Sequence, residues 1–269
     1  MFRLVALDVD GTLLNSSHML PYQNKMAIMQ LVGRGVHVCL STGKSFRTVQ
    51  NLIQELNLNS PQITSDGASI VDPATQTPLF RYGLSKDLMS EVIKLLEELG
   101  ATTVVVSEDS SFTTELNDDI EYMCGYGDPM PSIVRDLGNC IEIEPTHIMV
   151  ISYQKKDLFD RTFNTLKGIY SHRLNIVKSS PYFLEILNPL ASKGNALQTV
   201  LNYLKVDKQD ALCLGDGLND LTMFQSVGLP IAMGNSHEEV KNAATFVTDT
   251  NDNFGVAKAL EKYFENLIQ

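Results

Sequence analysis

Three apolar runs in this chain each break off into a polar cluster: "RLVALDVDGT" at 3–12, "VHVCLSTGK" at 36–44 and "ALCLGDGLND" at 211–220. A strand buried on both faces of a parallel sheet reads as such a continuous apolar run, and open sheets of that kind bind ligands beyond the carboxyl ends of their strands. Helical patterns fill the intervals, at 21–34 and 45–56 after the first two runs and at 192–204 before the third. Strands alternating with crossover helices predict an α/β fold, a Rossmann-like doubly wound parallel sheet. On that topology the three polar clusters face one rim, although they lie far apart in the chain.

The rest of the chain divides into two kinds of pattern. "QITSDGASIVD" predicts a short strand, a turn and a second strand. Beyond Gly217 the spacing predicts a helix in "LNDLTMFQSV", a strand in "GLPIAMG", a helix in "SHEEVKNAA", a short strand in "TFVT" and a closing helix at 255–267. The middle lacks this regular alternation. It predicts helices at 85–99 and 156–169, with strands near 103–107, 141–152, 174–178 and 182–187. That mixture suits an α+β unit with an antiparallel sheet. The expected organisation is a core in two parts, 1–82 and 190–269, interrupted by an inserted domain at 83–189.

Composition narrows the partners. With 269 residues, 43% of them apolar and 20% charged, the chain can bury a large core. A net charge of −11 argues against nucleic acid, which wants a basic face, and obliges any anionic substrate to find a local cation. No apolar run approaches the roughly 18 residues of a membrane span, and the amino terminus lacks the pattern of a signal peptide. The expectation is a cytoplasmic protein with no membrane partner. Cys39, Cys124, Cys140 and Cys213 show no C-x-x-C spacing, and Cys39 and Cys213 read as small core residues. The five histidines, His18, His37, His147, His172 and His237, form no metal-binding spacing and read as structural or surface groups.

The clusters carry a coherent chemistry. Asp8, Asp10 and Asp216 make a set of hard oxygen ligands that suits Mg2+ rather than zinc. Gly11 permits a tight turn after Asp10. Thr42 and the backbone of Gly43 can donate to a phosphoryl oxygen, and Lys193, at the start of a helix in "NPLASKGNAL", supplies a cation for an anion. Asn219 can hold a ligand oxygen or orient Asp8. "STGK" lacks the spacing of a Walker loop. Singly, such residues are common in turns and on solvated helix starts. Together, each at a strand end or helix start, they describe a phosphate site with a metal and a carboxylate nucleophile.

The same residues resemble a known family. "DVDGT" at 8–12, "STG" at 41–43, Lys193 in "SKGNAL" and "GDGLND" at 215–220, with "LPIAMGNS" at 229–236 and "NFGVAKAL" at 253–260, are similar to the phosphatases of the haloacid dehalogenase superfamily. They resemble in particular its Cof-type subfamily (class IIB), in which a large α/β cap is inserted into the core. The resemblance covers the core and the insertion point and thins within the insert. It implies that Asp8 is the nucleophile and Asp10 the general acid/base. It places Mg2+ on Asp8, Asp216 and the backbone carbonyl of Asp10. Phosphate contacts are implied for the Val9 backbone, Thr42, Gly43, Lys193 and Asn219, with Asp220 supporting the metal from outside the ligand set. Two positions depart from the family pattern: Lys44 stands where an arginine is usual, and Asp66 where an asparagine is usual.

The function expected is a Mg-dependent phosphatase of small phosphorylated metabolites, sugar phosphates or phosphorylated cofactors, working through an aspartyl-phosphate. The same motifs also serve phosphomutases and disaccharide-phosphate phosphatases, and a phosphate-binding regulator without turnover is the alternative outside enzymes. Retention of Asp10 argues against that last reading. Within the insert, Glu115, Lys178 and Glu185 read as surface charges before they read as substrate contacts. The sequence leaves monomer and dimer both open.

Overall fold

Leu4–Leu7 is hydrogen-bonded in parallel to Ala211–Gly215 on one side and to His37–Leu40 on the other, so the first strand is flanked by segments from both parts of the chain. The molecule is described by a computed structural model, which covers residues 2–107, 110–125, 127–139 and 144–264. It separates into two compact units: Met1–Gly43, Val49–Phe80 and Ser192–Gln269 form one, and Lys44–Thr48 with Arg81–Ala191 the other.

The first unit is built on a five-stranded parallel sheet in the order Phe246–Val247, Leu229–Ala232, Ala211–Gly215, Leu4–Leu7, His37–Leu40. All four residues of Leu4–Leu7 are buried, as a strand covered on both faces requires. Leu4 and Ala6 join Cys39, Cys213 and the helix residues Leu197, Val200 and Met223 in one apolar cluster. Val5 and Leu7 point to the other face. Helices Tyr22–Gly33 and Gly255–Tyr263 pack on each other, and the buried Asn24 of the first ties them to the turn after the first strand. Its amide donates to the Leu13 carbonyl at 3.0 Å and its oxygen accepts from the Ala257 N–H at 3.0 Å. The thiols of Cys39 and Cys213 are pushed up by burial, Cys39 to about 12, and both behave as the core residues expected.

The predicted hairpin exists and is larger than expected. Gln62–Thr64 pairs antiparallel with Ser69–Asp72, and Thr77–Arg81 adds a third strand that the sequence did not announce. Among the described residues, the backbone pairing of this sheet with the parallel one is an isolated bridge, Ser41 to Ile63, rather than a ladder. The Gln62 side chain replaces the missing ladder. Its oxygen accepts from the Leu40 N–H at 2.8 Å and its amide donates to the Val38 carbonyl at 3.2 Å, which satisfies the edge of the parallel sheet.

The second unit holds a six-stranded sheet in the order Asn175–Lys178, Phe183–Leu187, His147–Ile151, Thr102–Val106, Ser111–Thr113, Ser132–Ile133, antiparallel except for its last pair. Helices Lys86–Leu99 and Lys156–Tyr170 cover Val105, Ile148, Val150, Leu184 and Ile186 on one face. On the other face Val104, Met149, Ile151 and Phe183 pack with Ile120 and Met123 of the short helix Asp118–Gly125. This is the α+β pattern expected. The strand predicted at 141–152 is His147–Ile151, while 141–143 and Cys140, like 265–267 of the closing helix, lie outside the described residues.

One charge in this unit corrects the expectation from sequence. Glu185 is not a surface group: it is 4% exposed, its Oε2 lies 3.3 Å from His147 Nε2, and Ser179 donates to its other oxygen at 3.0 Å. Burial depresses the His147 imidazole to about 4, so the ring is neutral at pH 7. Lys178 does sit at the surface, 3.3 Å from Asp160 and over the Phe163 ring at 4.2 Å.

Candidate active site

The carboxyl ends of Leu4–Leu7 and Ala211–Gly215, adjacent in the sheet, bring the two acidic clusters together. After Leu7 the chain leaves the strand at Asp8 and makes a wide turn over Val9–Leu13, in which Gly11 has φ +81°. A side chain at Gly11 would run into the Asp216 carboxylate. Glycine is therefore required there twice, by its left-handed backbone and by the close approach of the second cluster. Thr12 donates its hydroxyl to Asp216 Oδ1 at 2.9 Å, and Asn235 donates to the Gly11 carbonyl at 2.8 Å. Val9 is buried in this turn and its carbonyl accepts from the Leu14 N–H.

Lys193 is the hub. It is the first residue of helix Lys193–Leu204, whose capping Ser192 accepts from the Asn195 N–H at 3.1 Å. The residue is 2% exposed, and its ammonium donates at 2.7 Å both to Asp8 Oδ1 and to Asp220 Oδ1. The other oxygen of Asp220 accepts from the N–H groups of Asp216 and Gly217, both at 2.9 Å, which folds the loop "GDGLND" around it. Burial works against the Lys193 charge, yet the fields of Asp220, Asp8 and Asp66 outweigh it and hold the amine well above its usual range. Burial raises Asp8 well above the carboxylate range, aided by Asp220 and Asp216 and opposed by Lys193. Asp216 is pushed up to about 6, again by burial and by Asp220, against the Thr12 bond and Lys193.

This charge balance bears on a metal. The carboxylates of Asp8, Asp216 and Asp220 offer oxygens that all lie within 4.8 Å of one another. Asp8 and Asp220 both bond to the one Lys193 ammonium and Asp216 lies beside them, so the trio is short of positive charge, and its donors are hard oxygens. The residues fit a divalent cation of the Mg2+ type. The Asp10 carboxylate lies outside this trio, and the structure instead sets its Oδ1 3.4 Å from His18 Nδ1.

The second strand end completes the rim. Thr42 is buried, its N–H donates to the Ile63 carbonyl at 3.1 Å and its carbonyl accepts from the Asp66 N–H at 3.0 Å. Asn219 Nδ2 donates to Asp66 Oδ1 at 2.9 Å, so the loop after the third strand is tied to the hairpin turn. A Cβ on Gly43 would lie 3.2 Å from Asp66 Oδ2. The structure thus gathers Asp8, Asp216, Asp220 and Lys193 by direct contact or proximity, and links Asn219, Thr42 and Gly43 through Asp66. Sequence reasoning gave no role to Thr12 and Asn235, noted Asp66 only as a departure from the family pattern, and set His18 among the structural or surface histidines, with a place at the mouth of the site as the lesser reading. The left-handed turn at Asp66 had a signal in its "SDG" triplet, and Thr12 lay inside the first motif.

Comparison with known proteins identifies the family. The family model of haloacid dehalogenase-like hydrolases matches residues 5–260. The chain is similar to YxeH of Bacillus subtilis (strain 168), 31% identical over 268 residues, with 97% of this chain and 98% of that one aligned. It is 29% identical over 269 residues to YcsE of the same organism, named a 5-amino-6-(5-phospho-D-ribitylamino)uracil phosphatase, with coverage of 97% and 95%. A crystal structure of a haloacid dehalogenase-like hydrolase from Bacteroides thetaiotaomicron superposes with a TM-score of 0.90 at 23% identity, covering 98% of this chain and 100% of that one. The chain belongs to the haloacid dehalogenase-like hydrolases, as a phosphatase of their Cof-type branch.

Proposed function

We propose that this phosphatase hydrolyses small phosphate monoesters through an aspartyl-phosphate on Asp8, with Asp10 as the acid and base. The observation that carries this reading is the buried Lys193 ammonium bonded at 2.7 Å to the Asp8 carboxylate at the end of the first strand. A surface ion pair would need no such burial. Here the ammonium holds one oxygen of Asp8 in place and offsets repulsion between that carboxylate and an incoming phosphate dianion. Asp8 then attacks phosphorus in line, and the bond from phosphorus to the leaving oxygen breaks. Asp10 gives its proton to that oxygen, and afterwards takes one from the water that opens the acyl phosphate. Asp8, Asp216 and the Asp10 carbonyl would hold Mg2+, which when bound supplies charge neutralisation at the phosphoryl oxygens.

Thr42, the Val9 and Gly43 backbone, Lys193 and Asn219 are the phosphate contacts of this scheme, and Asp220 keeps Lys193 and the Asp216 loop in place. The name of YcsE favours phosphorylated polyols attached to a heterocycle within the wider range of sugar phosphates and phosphorylated cofactors. The test is a panel of phosphate esters, from p-nitrophenyl phosphate to sugar, polyol and cofactor phosphates, with kcat/KM measured with and without Mg2+. Metal-dependent release of phosphate with a preferred ester is expected. Absence of release across the panel overturns the reading.

A further inference from the structure

Asp66 has no assigned role in the scheme above, yet it is among the most constrained side chains of the site. It is 2% exposed, and its backbone is held at φ 50°, ψ 35° with its N–H on the Thr42 carbonyl. Its Oδ1 accepts from Asn219 Nδ2. Its Oδ2 is buried beside Gly43 and has no hydrogen-bond partner among the described residues. A buried polar atom left in this way calls for a partner that the described residues do not supply.

Two protonation states make opposite demands on that ligand. An ionised carboxylate only accepts, so Oδ2 would sit as a buried negative acceptor, close to where a phosphate dianion is to bind. A neutral acid keeps Oδ1 as acceptor for Asn219 and turns Oδ2 into a hydroxyl donor, the hydrogen-bond pattern of a primary amide. A donor beside Gly43 matches an oxyanion. The groups facing the carboxyl pull both ways: Lys193 and the Asn219 amide favour the ion, Asp220 opposes it, and burial, the largest influence, raises its pKa. We propose that Asp66 stands in this site as a neutral carboxylic acid, its Oδ1 fixing the Asn219 amide and its Oδ2 hydroxyl donating to an oxygen of the bound phosphoryl group. The identity of the ligand and the preference for the donor form rest on the phosphatase reading; the burial of Asp66 and its unpartnered Oδ2 do not.

The consequence is a site whose grip on anions weakens as Asp66 ionises. Asp66→Asn is the informative variant, because asparagine tolerates the left-handed backbone and presents the same donor and acceptor at every pH. Sulfate is the probe, since its charge is constant across the range. Calorimetric affinities for sulfate, measured between pH 5 and 9 on both proteins, are expected to fall about tenfold further in the wild type than in the variant, the scale of one mispaired buried group. Asp8 and Asp216 titrate in both proteins and cancel in that ratio. A second reading needs no ligand. With its pKa raised by burial, Asp66 loses stability for the fold as pH rises through it, so the melting temperature of Asp66→Asn should gain on the wild type with increasing pH.

Parallel affinity curves, or parallel melting curves, overturn the assignment, as does failure of the wild type to bind sulfate at pH 5. Phosphate release from p-nitrophenyl phosphate separates the two readings. Turnover with parallel curves sinks the role of Asp66 and leaves the phosphatase, whereas no turnover and no sulfate binding sinks both.

Discussion

Replacing Lys193 by methionine removes the hub and keeps its length and apolar stem. Two charge-assisted bonds of 2.7 Å disappear, and Asp8 and Asp220 are left buried without their counter-ion. Breaking a buried pair in this way costs about 3–5 kcal/mol, because the surviving charges keep their desolvation penalty. At a few degrees per kcal/mol for a chain of this size, the melting temperature should drop by roughly 10 °C. The sign of the pH dependence follows. Burial already pushes Asp8 upward, and loss of Lys193 pushes it further, so the acids escape the penalty by taking up protons as pH falls. The deficit of Lys193→Met should therefore be largest at pH 8 and shrink toward pH 5. Urea unfolding in EDTA at both pH values reads it, and added Mg2+ should recover part of the loss at pH 8. Stability within about 1 kcal/mol of the wild type at pH 8, against the 3–5 kcal/mol expected, would refute the reasoning, as would a deficit equal at both pH values. Phosphate release should fall by at least about a hundredfold, the usual scale for losing a preorganised charge at the reacting group.

Two further substitutions probe neighbouring parts of the site. Asp8→Asn should abolish phosphate release while the melting curve stays cooperative, since the neutral amide still fits beside Lys193; turnover near the wild-type rate would exclude Asp8 as nucleophile. Gly11→Ala should lower both stability and the affinity for Mg2+ measured by calorimetry, because the added methyl strains a φ of +81° and displaces the Asp216 carboxylate. Unchanged Mg2+ affinity would show that the turn relaxes without moving Asp216.

Much of this site is legible in the sequence because strand ends in a parallel sheet advertise themselves. "LVALD", "VCLST" and "CLGDG" each switch from apolar to polar at one residue, and the switch marks where backbone leaves the sheet. Lys193 is legible for the same reason, as a charge in the first turn of a helix beginning "SKGNAL". Links made through space carry no such mark. Asp66 and Asn219 meet across 153 residues, and nothing in "SDGA" says which of its polar groups points inward. His18, which lies 3.4 Å from Asp10, sits on a left-handed backbone with φ 55°, a conformation that its own short stretch of sequence does not announce. Glu185 reads as a surface charge because acids are seldom buried, yet every residue of Phe183–Leu187 is buried, and the partners that make this possible, His147 and Ser179, come from elsewhere in the chain. The strands Thr77–Arg81, Ser111–Thr113 and Ser132–Ile133 are too short or too exposed to leave a periodic pattern.

The position of Leu4–Leu7 between His37–Leu40 and Ala211–Gly215 also sets an order of events during synthesis. The ribosome delivers the inner strand first and its second neighbour only after all of Arg81–Ala191 has emerged. Until then one side of Leu4–Leu7 has an open row of backbone donors and acceptors, and Asp8 has no ammonium to face. The second unit, by contrast, is nearly contiguous in the chain and has every strand of its sheet before Lys193 leaves the exit tunnel. It can close while the parallel sheet waits, since loop closure over a short span is cheaper and faster than pairing ends so far apart. A nascent chain stalled with Leu187 already outside the exit tunnel and Lys193 still within it should therefore carry a protected insert and a protease-sensitive core segment, and chaperone demand should concentrate on residues 2–80 rather than on the last to be made.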